Sequence, residues 1–250
     1  MNEEWILETR GLVKQFNEFV AVNGVSLRVQ RGTIHALIGP NGAGKTTVFN
    51  LLTRFLPVTR GEIRLRGEDI TEVPAAQVAR RGMVRSFQVS ATFPALTALE
   101  NVRVALQRKL GTSFQFWRSE RSLDALDGRA RELLAEVGLE EQRDTVTGEL
   151  PYGRKRALEL ATTLALDPEV MLLDEPTQGM GHEDVGRVVA LIQRVAQGRT
   201  VLMVEHNLSV VEDLADRVTV LARGQVLAEG TYDEVSRDPA VLEAYIGAPA

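Results

Sequence analysis

The chain has 250 residues, 44% hydrophobic and 25% charged, the balance of an ordinary globular protein long enough to bury a substantial core. Its net charge of −5 argues against sequence-independent nucleic-acid binding, and no nucleic-acid partner is expected. Cysteine is absent and the three histidines, His35, His182 and His206, are scattered, which excludes disulfides and thiolate metal sites and argues against zinc. The opening MNEEWILETR is acidic where a signal peptide is basic, and no run of about 18 apolar residues occurs. A cytosolic α/β protein is expected, reaching a membrane only through partners.

Residues 5–29 alternate short apolar runs with turns and predict antiparallel strands. TIHALIG is a buried strand, followed by a glycine-rich turn and the helical run KTTVFNLLTRF. GEIRLRGEDI reads as a hairpin punctuated by Gly61 and Gly67, 75–81 as a short helix and MVRSFQ as a strand. The character then changes. Thr97 and Glu100 fit a capping box that opens a helix running to 109. A second helix is predicted over 124–137, stopped by Gly138, and a third from just after Gly153 to 165. The α/β pattern resumes with the buried strand EVMLLDE, a helix over 184–197, the strand TVLMVEH, the helix LSVVEDLA and a hairpin turning at Arg223 and Gly224. One α/β domain interrupted by helices explains this order, because the strands on both sides are needed for one sheet. The expected divisions are 1–88, the first part of the core with an antiparallel β-subdomain; 89–166, a helical subdomain; 167–232, the second part of the core; and 233–250, a helical tail.

Gly39, Pro40, Asn41, Gly42, Ala43, Gly44, Lys45, Thr46 and Thr47 fit G-x-x-x-x-G-K-[ST], with a buried strand before and a helix after. The glycines let consecutive N–H groups turn inward as an anion nest at a helix N-terminus, where the helix dipole favours phosphate. Lys45, expected in a solvent-accessible loop, supplies charge to the β- and γ-phosphates, and the Thr46 hydroxyl can ligate Mg²⁺. Val-Met-Leu-Leu-Asp174-Glu175 is an apolar strand ending in two carboxylates that should point in different directions. Alone, they could equally cap a helix. Beside a phosphate cradle, Asp174 would hold Mg²⁺ through water, and Glu175 would orient or deprotonate the attacking water. A lone histidine is usually structural, but His206 ends a central strand, where parallel sheets bind ligands, and could reach the γ-phosphate. Gln88 ends RSFQ in the same way; its amide could meet Mg²⁺ or position water, or it could be a surface glutamine.

GPNGAGKTT, SFQ, LPYGRKRALELA, MLLDEPT and VEH, in this order, resemble the ATP-binding subunits of ABC transporters over essentially the whole chain. RGMVRSFQ, ALENV, the GM after DEPTQ and the ending VLEAYIG resemble the branched-chain (hydrophobic) amino acid and amide uptake subfamily. The resemblance implies a P-loop NTPase core with an antiparallel β-subdomain and an inserted all-helical subdomain. It implies ATP and Mg²⁺, and a site in which the P-loop of one subunit closes on the signature loop of another. It further implies a second ATP-binding subunit, identical or different, two permease subunits, a periplasmic substrate-binding protein, and a place at the cytoplasmic face of the inner membrane. Phe16 matches the aromatic that stacks on adenine, although a core aromatic would fit its strand equally well.

The signature departs from the LSGGQ pattern: Pro151 replaces Ser, Tyr152 replaces Gly and Arg154 replaces Gln, while Gly153 remains. Pro151 has no hydroxyl and no N–H to donate, so a γ-phosphate contact is lost that Arg154 or Lys155 would have to replace. Gly181 stands where the family has Asp or Asn. These departures weaken the site to which the chain lends its signature, not the site on its own P-loop. The aromatic segment 114–117 and the stretch after Gln88 are candidates for docking a membrane subunit or for a satellite core of the helical lobe. Two rival readings are a lipopolysaccharide or lipid export ATPase and a non-transport ABC regulatory switch; a single motor copy, no coiled-coil insertion and an acidic balance argue against the switch.

Overall fold

A computed structural model describes residues 5–86, 92–109 and 121–246. In chain order its elements are β1 (Trp5–Phe16), β2 (Phe19–Val25), β3 (Arg28–Gln30), β4 (Ile34–Ile38), α1 (Lys45–Leu52), β5 (Arg60–Leu65), β6 (Glu68–Asp69), α2 (Ala75–Arg80) and β7 (Met83–Ser86). Next come α3 (Ala98–Lys109), α4 (Arg121–Glu136), α5 (Tyr152–Leu164), β8 (Val170–Asp174), α6 (His182–Val195) and β9 (Thr200–Val204). The last described elements are α7 (Leu208–Leu214), β10 (Arg217–Ala222), β11 (Gln225–Gly230), α8 (Tyr232–Ser236) and α9 (Pro239–Ile246). Two compact units result, one of 1–85, 169–177 and 196–250, the other of 86–168 and 178–195.

The first unit holds two sheets. One is antiparallel, ordered β2-β1-β5-β6 with β3 also on β1; the other is ordered β11-β10-β4-β9-β8-β7. β10, β4, β9 and β8 run parallel, and every residue of β4, β8 and β9 is buried, which is why these strands are continuous apolar runs rather than alternating ones. Ile6, Val29 and Ile63 of the first sheet share one core with Phe49 and Leu52 of α1 and with Leu172 and Leu202 of the second. Both expected hairpins form. At each tip a non-glycine and a glycine take positive φ, Arg66–Gly67 and Arg223–Gly224, the backbone that tight two-residue hairpin turns demand.

His35 lies fully buried near the start of β4, its Nε2 2.8 Å from Thr219 Oγ1. Burial, assisted by the Arg217 charge, pushes its pKa down from 6.5 to about 4. The unfolded chain therefore binds a proton between those values that the folded chain refuses, so stability rises with pH through this window and falls on acidification. Urea unfolding at pH 4.5 and 7.5 should differ by about 2–3 kcal/mol from this group alone. His35→Gln should remove that part of the difference; an unchanged pH slope in the variant would contradict the assignment.

The second unit is helical. Thr97 N donates to Glu100 Oε2 (2.7 Å) and Glu100 N to Thr97 Oγ1 (3.2 Å), the expected capping box at the start of α3. Arg103 pairs with Asp127 across α3 and α4, and α4 stops before Gly138, whose φ is +74°. α5 begins at Tyr152, earlier than expected, because Pro151 at φ −58° sits at the N-cap and its carbonyl accepts from the amides of Arg154 and Lys155. Among the described residues no helix is long and apolar enough to cross a membrane.

Candidate functional site

The turn from β4 into α1 depends on its glycines. Gly39, Gly42 and Gly44 have φ of +147°, +76° and +99°. A Cβ on Gly39 would run into the Leu221 carbonyl, and one on Gly44 would lie 2.7 Å from Ala21 O. The β10–β11 turn braces the loop from behind, with Gly224 N donating to Ala43 O at 3.0 Å. From α9, the Tyr245 oxygen meets the Gly39 backbone, while burial pushes the phenol up to about 12. Gly44 caps α1 in the left-handed region and brings no side-chain cap to the first N–H groups of the helix. Those donors, aligned with the helix dipole, form a cradle for an anion such as phosphate.

Lys45 corrects an expectation. It is the first residue of α1 and only 6% exposed, with Nζ donating to Gly39 O (2.6 Å) and Pro40 O (3.0 Å). The loop folds over its own lysine. Burial pulls the ammonium pKa below its usual value, and the Glu175 charge pulls it partly back. Thr46 is exposed and Thr47 half-buried on the same turn.

The two carboxylates at the end of β8 diverge as alternation along a strand requires. Asp174 is buried and pairs with Arg85 of β7, which also donates to Asn50 Oδ1 on α1 at 2.6 Å. Glu175 takes φ +47°, unusual for a residue with a side chain, and its Oε1 lies 2.7 Å from His206 Nε2. The Glu175 amide donates to Val204 O at 2.9 Å, fastening the end of β8 to β9. Glu205, a residue the sequence reading passed over, is buried between them. It accepts from Thr177 N (3.0 Å) and Oγ1 (2.6 Å), and from the amides of His206 (2.9 Å) and Asn207 (3.3 Å). One carboxylate thus clips the loop after Glu175 to the loop carrying His206. Arg85 was passed over as well. Its signal was a cation directly after the apolar pair Met83–Val84, three residues before Gln88.

Phe16 is 42% exposed, so it is not a core aromatic, and Lys14 Nζ lies 4.9 Å from its ring centroid. Gln88 and the segment 114–117 lie outside the described residues. Pro151, Gly153 and Arg154 belong to the second unit. There Arg154 Nη1 donates to Gly138 O (2.7 Å), Tyr152 donates to Gln178 O (3.2 Å), and a Cβ on Gly153 would lie 3.6 Å from Asp184 Oδ1. The first unit therefore gathers the P-loop, Asp174, Glu175 and His206 around one anion cradle.

A parallel sheet with a phosphate-type loop at a strand end, a lysine folded into it and a Glu–His pair beside it defines a nucleotide-binding P-loop protein. The sequence pattern of the family described as "ABC transporter" matches residues 22–178, and that of "Branched-chain amino acid ATP-binding cassette transporter" matches 225–250. The chain is 41% identical, over 97% of its length and 98% of the relative's, to the high-affinity branched-chain amino acid transport ATP-binding protein BraF of Pseudomonas aeruginosa. It is 38% identical to LivG of Escherichia coli, a protein of the same description, with the same two coverages. Among solved structures it resembles the ADP conformation of MJ1267, an ATP-binding cassette of an ABC transporter, with a TM-score of 0.85 and 31% identity, covering 98% of this chain and 99% of that one. The chain belongs to the ABC transporter ATP-binding cassette family, and it is an ATPase.

Proposed function

We propose that this chain is the ATP-hydrolysing motor subunit of an importer for branched-chain amino acids or related amides. It would work at the cytoplasmic face of the inner membrane with a second ATP-binding subunit, two permeases and a periplasmic binding protein. The observation that carries the reading is the Glu175–His206 pair beside the folded-in Lys45, in a chain alike over nearly its whole length to BraF. In this reading the N–H groups of 41–47 and Lys45 bind the phosphates and Phe16 stacks on adenine. Thr46, Asp174 and the Gln88 amide offer the hard oxygen donors that suit Mg²⁺, which when bound would neutralise charge on the phosphate oxygens. Glu175 takes the proton of the attacking water, and His206 holds that carboxylate and contacts the γ-phosphate. Pro151, Gly153 and Arg154 serve the nucleotide of the opposite subunit, and the helical insertion 89–166 carries closure to the permeases. ATP must bind the closed pair more tightly than the open one, since equal affinity would move nothing.

Affinity purification from membranes of the source cells, followed by mass spectrometry, tests the assembly. Two hydrophobic permeases should accompany the chain; recovery from those membranes without any integral membrane protein would contradict the reading.

The signature makes a separate prediction. Pro151 caps α5 without a side-chain hydrogen bond, so Pro151→Ser should raise thermal stability by about 1 kcal/mol as a capping hydroxyl is gained. If the missing hydroxyl also weakens the opposite site, Pro151→Ser should raise turnover of the isolated chain by up to roughly 10²-fold, the scale for one transition-state donor. The same change should matter less beside a partner bearing a standard LSGGQ loop. Equal turnover of isolated chain and assembled transporter, unmoved by Pro151→Ser in both, would exclude such asymmetry.

A further inference from the structure

The carboxylate that the reading above places on the metal side of the phosphate site is held by a cation of the protein itself. Arg85 and Asp174 form an ion pair with side chains only 11% and 3% exposed. The same guanidinium donates to Asn50 Oδ1 at 2.6 Å and lies 5.8 Å from the Phe49 ring centroid, so contacts on α1 fix it as well. Asn50 stands four residues after Thr46, and residues so spaced share a helix face. Arg85 therefore spans from the Thr46 face of α1 to the end of β8. Among the described residues no group of three or more His, Cys, Asp or Glu side chains could hold a metal ion. In the reading above the protein offers a divalent cation the Thr46 hydroxyl, the neutral Gln88 amide and a carboxylate whose charge Arg85 already balances. A metal arriving alone meets a neutralised acid and a like charge in a partly desolvated place, where charge interactions are strong. Phosphate oxygens would supply both the missing ligands and the missing negative charge.

We propose that Arg85 is a positioning residue that makes divalent-metal binding depend on nucleotide, by orienting Asp174 and cancelling its charge until phosphates are present. The inference rests on the assignment of Asp174 to the metal side. It is tested on the full chain with Mn²⁺ as probe, the free ion being followed by electron paramagnetic resonance, with and without ADP. Wild type should take up Mn²⁺ at least about tenfold more tightly with ADP than without it. Arg85→Gln should bind Mn²⁺ alone at least about tenfold more tightly than wild type, while Arg85→Lys, which keeps the charge, should behave as wild type. The proposal is overturned if Arg85→Gln, folded by circular dichroism and still binding ADP, takes up Mn²⁺ alone no better than wild type, or if Arg85→Lys releases binding as fully as the glutamine does. Should Arg85→Gln not fold, wild type decides: Mn²⁺ bound as tightly without ADP as with it overturns the proposal, and dependence on ADP that survives in Arg85→Lys supports it. Asp174→Asn separates the two levels, because undiminished Mn²⁺–ADP binding there would refute the metal-side assignment itself.

Discussion

Glu175→Gln is expected to cut ATP turnover by at least about 10²-fold, the lower end for removing a general base, with ATP affinity changed by no more than about twofold. The side chain is 12% exposed and fixed by His206 at 2.7 Å, so an amide of the same shape fills the place and still offers an oxygen toward the imidazole. The phosphate cradle on the β4–α1 turn is untouched. Binding then proceeds to the closed pair and stops, and gel filtration with ATP should show a dimer that wild type, clearing its nucleotide, does not accumulate. Turnover at the wild-type rate would remove Glu175 from the catalytic role.

Lys45→Ala should act on the earlier step. Without the ammonium the cradle keeps its amides but loses the buried Lys45 cation, and ATP affinity by calorimetry should fall at least roughly tenfold, with turnover abolished. The buried position adds a consequence for stability. Nζ holds the carbonyls of Gly39 and Pro40 together, so its loss should cost about 1–2 kcal/mol, short of unfolding the domain. The two variants part cleanly: one binds and does not turn over, the other binds weakly. Unchanged affinity in Lys45→Ala would contradict the phosphate assignment.

What was legible in the sequence was local. The glycine spacing of 39–44 announces a backbone that only glycine adopts, and the unbroken apolar runs of β4, β8 and β9 announce strands buried on both faces. The Thr97–Glu100 box and the Arg66–Gly67 and Arg223–Gly224 turns are likewise written within a few residues. What stayed hidden comes from residues far apart in the chain. Arg85 and Asp174 are 89 positions apart, and Thr177 and Glu205 28 apart, so neither pairing leaves a spacing to read. Lys45 was misplaced for a related reason: a loop motif gives the residue types, not whether the loop closes over its lysine. Phe16 needed the structure too, since an apolar residue near a strand end fits core or surface until its exposure is known.

The central claim is that ATP hydrolysis at the Lys45–Glu175 site drives solute uptake. The most direct measurement is uptake of radiolabelled leucine into proteoliposomes holding the assembled transporter, with binding protein outside, ATP inside, and phosphate release followed in the same vesicles. The account predicts uptake that requires ATP and phosphate release that rises with the loaded binding protein, both lost in Glu175→Gln. Uptake that continues without ATP, or at the wild-type rate with Glu175→Gln in every copy of this chain, would contradict it.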